Sequence, residues 1–102
     1  MSARPCQVEI LPEANRNLNE LLGELPDTDS RLRLLTALTD LLPRLQYFPE
    51  LGVRLPARPT IRRTLLIKRL AVYYQWQYDD ASCLVQILAI RDTRRDPDSL
   101  RF

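Results

Sequence analysis

The side chains best able to do chemistry in this sequence are cationic, and they fall in two runs. The first is Arg62, Arg63, Lys68 and Arg69; the second is Arg91, Arg94 and Arg95. A guanidinium presents a planar fork of donors that matches phosphate and carboxylate oxygens. Such runs suit the binding of an anionic partner, or the stabilisation of charge on a reacting phosphate. They also serve as solvated faces or internal ion pairs, Arg95 with Asp98 for example. The chain has no histidine, which removes Ser-His-Asp and Cys-His catalysis and any imidazole base. Gly23 and Gly52 are the only glycines, too few for a phosphate-cradling loop. No metal or cofactor is expected.

The charge is uneven. The 102 residues carry a net +2, but residues 1–50 sum to −3 and residues 51–102 to +5. Fourteen of the fifteen basic residues are arginine, so the second half is the half suited to anionic partners. Hydrophobic residues make up 45%, enough for one packed domain spanning residues 1–102. No apolar run approaches the roughly 18–20 residues of a membrane span, so no membrane partner is expected. The opening "MSARPCQVEI" lacks the basic-then-apolar plan of a secretory signal. The expectation is a cytoplasmic chain in which Cys6 and Cys83 are small buried hydrophobes.

These residues need elements to position them. "CQVEIL" alternates, with Val8 and Ile10 on one face, and predicts a short strand. Pro12 and Glu13 suit the first turn of a helix. Leu18, Leu21, Leu22 and Leu25 then form one stripe that ends at Gly23 and Pro26. "DTDS" offers N-caps for a second helix, striped by Leu34, Leu35, Leu38, Leu41, Leu42 and Leu45 and kinked at Pro43. The two form an antiparallel helical hairpin. "FPELGVRLPARP" (48–59) predicts a proline-rich connection.

The period then changes to two. In the next strand Ile61, Leu65 and Ile67 alternate with Arg62, Thr64 and Lys68, and Arg63 falls on the apolar phase, where an acidic helix residue would pair with it. A tight turn at Lys68-Arg69 leads to a strand with Val72, Tyr74 and Trp76 on the core phase and Tyr73, Gln75 and Gln77 opposite. "CLVQILAI" (83–90), the most apolar strand, is predicted to be central. The fold class is α+β: an N-terminal strand, a two-helix hairpin, then a three-stranded antiparallel meander. The helices cover one sheet face, and Tyr73 and Gln75 stand on the open one.

Taken in order, these segments resemble the RelE/ParE superfamily, the toxins of bacterial type II toxin–antitoxin systems. "VEILPEANRNLNEL" resembles its opening strand and first helix, and "LQYFPELG" the phrase that ends its second helix. "IRRTLLIKRLAVYYQW" resembles its arginine-bearing and aromatic strands, and "ILAIRDTRRDP" its last strand and terminal Arg-Arg-Asp-Pro. The resemblance implies one of two activities. RelE-like members cleave messenger RNA in the ribosome with basic sheet residues, a third-strand arginine and a C-terminal tyrosine. ParE-like members inhibit DNA gyrase and lack that set. Here Ala71 stands where the third-strand arginine is expected, and no tyrosine follows the last strand. The ending is closer to ParE.

The resemblance therefore implies a gyrase-inhibiting toxin, neutralised by a cognate antitoxin. Its target-binding basic surface would be Arg62, Lys68, Arg69, Arg91, Arg94 and Arg95. The antitoxin would meet Leu18, Leu22, Leu32, Tyr73 and Gln75. The alternative is a ribosome-dependent mRNA endoribonuclease that uses Arg62, Arg63, Lys68 and Arg69. Whether the two basic runs share one end of the sheet is open at this level.

Overall fold

Local signals account for the helices in a computed structural model that describes residues 5–94. Helix α1 (Pro12–Glu24) follows strand β1 (Gln7–Ile10) directly, with Pro12 and Glu13 in its first turn. Helix α2 (Thr28–Tyr47) is capped by Asp27, whose carboxylate accepts from the Ser30 N–H at 2.7 Å. The end of α1 is closed from α2. Arg31 donates to the carbonyls of Leu22 and Leu25, both at 3.1 Å, filling acceptors that a helix terminus leaves open. Pro43 lies inside α2 and does not end it. The helix stripe is narrower than its leucines suggest: Leu34, Leu38, Leu41 and Leu45 are buried, while Leu35 is exposed.

A short 3₁₀ turn (Pro49–Leu51) leads into β2 (Val53–Arg54), β3 (Arg62–Ile67), β4 (Leu70–Tyr78) and β5 (Cys83–Asp92). The sheet order is β1-β5-β4-β3-β2, with β1 parallel to β5 and every other pair antiparallel. The α+β class holds; β5 is interior, but the central strand is β4 and not β5 as its apolar run predicts. The strand count is corrected: the sheet has five strands, because Val53 and Arg54 pair with Arg63 and Arg62 inside the presumed connection. Two residues between prolines are too short to show a period.

The helices pack on one face of the sheet over Val72, Tyr74, Val85, Ile87 and Ile90. The other face is not open throughout. Residues 55–61 fold back over it, and Ile61, Ala71, Tyr73 and Ala89 form a second small core with Leu55 and Leu88. The expectation that Tyr73 faces a partner is overturned here: it is 1% exposed.

Strand β3 also runs in the opposite phase to the one its sequence suggests. Arg62 pairs with Tyr74 and Arg63 with Tyr73, so Arg63 lies on the helix-free face, away from any acidic helix residue. A bulge between Leu65 and Ile67 then resets the phase, leaving Leu65 exposed while Leu66 and Ile67 join the main core. Strand β5 has a similar slip opposite Tyr73 and Tyr74.

The cysteine expectation is corrected as well. Cys6 and Cys83 are joined by a disulfide across the neighbouring strands β1 and β5, with Cα atoms 4.6 Å apart. No helix among the described residues is long and apolar enough to cross a membrane.

Candidate functional site: a basic cleft at the β3–β4 turn

Register settles where the basic runs meet. Ile67 pairs with Leu70 across the two-residue turn Lys68-Arg69, and Leu70 pairs with Asp92. The Thr93 N–H donates to the Arg69 carbonyl at 2.7 Å, tying the end of β5 to that turn. Lys68, Arg69 and Arg94 therefore share one end of the sheet. The start of α2 reaches the same end and adds Arg33. Together they rim a cleft of about 700 Å³. Its apolar wall is Leu21, Leu25, Leu34, Ile67 and Leu70, and its polar rim also holds Glu24, Ser30 and Asp92.

One charge pair on the rim is tightly held. Arg94 grips Asp92 through its backbone N–H at 2.8 Å, Nε at 3.2 Å and Nη2 at 2.8 Å. Those bonds, with a smaller pull from the charge of Arg69, hold the Asp92 carboxyl down at about 2. Arg33 pairs loosely with Asp29 at 3.2 Å, both side chains largely exposed. Lys68 is exposed, and its ammonium makes no hydrogen bond or ion pair among the described residues. Its backbone is held at φ 52°, the left-handed region that a residue with a Cβ rarely occupies. Among the described residues the cleft is lined by no histidine, cysteine or tyrosine, and its ionisable groups are Glu24, Arg33, Lys68, Arg69, Asp92 and Arg94. A rim with four cations against two carboxylates suits anionic groups.

The other expected site residues fall elsewhere. Arg62 sits at the opposite end of β3, where its Nη1 donates to the carbonyls of Glu50 (3.1 Å) and Gly52 (2.8 Å). Beside it, the buried Tyr74 hydroxyl accepts from the Gly52 N–H and donates to the Pro49 carbonyl, both at 2.7 Å. Burial pushes the Tyr74 phenol above its usual range. Arg62 is thus a brace for the turn after α2. Arg63 is half-buried on the far face. Arg91 is half-buried and lies 4.0 Å from Glu13 on α1. Arg95 is outside the described residues. Among the expected antitoxin contacts, Leu18 is buried in the main core and Leu22 is half-buried against it. Gln75 bonds Gln86 across the sheet at 3.0 Å. Leu32, 55% exposed, is accessible.

Glu24, Ser30, Arg33 and Asp92 are the polar cleft residues that sequence reasoning missed. Nothing in one dimension places the α1–α2 connection beside a turn more than thirty residues later. No protein-family model matches the chain, and no curated protein matches it.

Proposed function

We propose that the chain is the toxin component of a type II toxin–antitoxin system, that it acts ParE-like by inhibiting DNA gyrase in the cytoplasm, and that a cognate antitoxin neutralises it. The observation that carries the reading is the convergence of Lys68, Arg69 and Arg94 on one cleft. Such a site suits an acidic protein surface. The resemblance supplies the identity of that surface. Leu32 is the accessible member of the antitoxin contacts it implies.

The nuclease alternative needs Arg62, Arg63, Lys68 and Arg69 on one surface. Arg62 is occupied by backbone carbonyls at the far end of β3 from Lys68 and Arg69, which favours gyrase. The test is gyrase supercoiling with purified chain. Inhibition that falls at least tenfold in the double variant Lys68→Ala/Arg69→Ala is expected. Undisturbed supercoiling at excess protein sinks the proposal, and cleaved message in a translation extract replaces it with the alternative. Cytoplasmic proteins rarely keep disulfides, so both assays are run with and without reductant.

A further inference from the structure

The end of the sheet opposite the basic cleft carries a second concavity of about 770 Å³, and its chemistry is the reverse. Trp76 and Tyr78 stand two residues apart on the same face of β4, with ring centroids 5.2 Å apart and planes 14° from parallel. Tyr47, from the last turn of α2, adds a third ring that is 53% exposed, and Tyr78 itself is 72% exposed. Asp79 and Asp80, in the β4–β5 turn, supply the charge. Among the described residues, no lysine or arginine lines the cleft.

One of the two carboxylates is fixed by local structure. Asp79 Oδ1 accepts from the N–H groups of Ala81 and Ser82, each at 2.8 Å, which shapes the turn, and its Oδ2 takes none of these bonds. Asp80 is exposed and makes no ion pair among the described residues. The Cys6–Cys83 disulfide and the buried Pro49 also line the cleft. Preformed aromatic surface with negative charge at its edge attracts cations twice over. The ring faces draw a guanidinium or ammonium, and the carboxylates complete the charge. The cleft is several times larger than one guanidinium, which leaves room for the flanking backbone of a peptide.

We propose that this cleft docks an arginine- or lysine-bearing peptide segment of a partner protein. It is independent of the basic cleft in position and in sign. Trp76 is the chain's only tryptophan, so its emission reports on this site alone. The oxidised full chain is titrated with a hexa-arginine peptide, a hexaglutamate peptide and a neutral oligosaccharide. The result expected is a saturable change with hexa-arginine only, weakened by added salt. Each of Tyr78→Ala and Asp80→Asn should weaken it by about two- to fivefold. Both side chains are exposed, so the variants keep the fold, which circular dichroism verifies. Lys68→Ala/Arg69→Ala should leave this binding intact, so failure here is separable from failure of the gyrase reading. No saturable change, an equal response to hexaglutamate, a response to the sugar alone, or binding unmoved by Tyr78→Ala would each overturn the proposal.

Discussion

Gly52 has no room for a methyl group. A Cβ built there lies 2.9 Å from the Arg63 carbonyl oxygen and equally close to Cε1 and the hydroxyl of Tyr74. Backbone on one side and a buried ring on the other cannot give way cheaply. Gly52→Ala should lose about 1–3 kcal/mol, as overpacked sites do. Gly23, in the last turns of α1, meets nothing within 4 Å, so Gly23→Ala should gain about 0.5–1 kcal/mol. Urea midpoints for the two variants should move in opposite directions at unchanged slope; a shared direction would contradict the packing described. That Tyr74 belongs to the core is legible from strand alternation. What its hydroxyl bonds is not, because its partners lie 22 and 25 residues away. Arg62 misleads for the same reason: in the sequence it is one more free cation beside Arg63, and its carbonyl partners come from a turn ten and twelve residues earlier.

At the scale of elements, helices and turns announce themselves locally and strand phase does not. Pro12, Asp27 and the leucine spacing mark α1 and α2, and Lys68-Arg69 marks the hairpin turn where it occurs. The phase of β3 fails because a bulge adds one residue, and alternation cannot reveal a bulge without its partner strand. The open face fails because residues 55–61 cover it, a long-range event. The hairpin turn carries a prediction of its own. Lys68 is held at a positive φ that costs a residue with a Cβ about 1–2 kcal/mol, part of which glycine returns through its freer unfolded chain. Lys68→Gly should therefore raise stability by about 0.5–1 kcal/mol in chemical denaturation while weakening the proposed gyrase inhibition. A variant that gains in both would show that the lysine is not held there for binding.

For the whole molecule, charge separates by the two ends of one sheet and not by the two halves of the sequence, since Asp79 and Asp80 come from the basic half. Lys68, Arg69 and Arg94 collect at one end, and Tyr47, Trp76, Tyr78, Asp79 and Asp80 at the other. The split by halves was legible; the ends were not, since only register brings β5 back beside the β3–β4 turn. The disulfide was hidden likewise, its cysteines being 77 residues apart until β1 lies against β5. Closing a loop of that length stabilises the fold by up to about 4–5 kcal/mol. Reduced protein, or Cys6→Ser, should unfold at markedly lower urea than oxidised protein, and coincident curves would exclude the bond as a stabilising crosslink. The crosslink also has a mechanical consequence. Pulled from Pro5 and Arg94, the oxidised chain can pay out only Pro5 and residues 84–94, outside the covalent loop. Roughly 270 Å of contour between Cys6 and Cys83 stays hidden from the force until a reductant releases it.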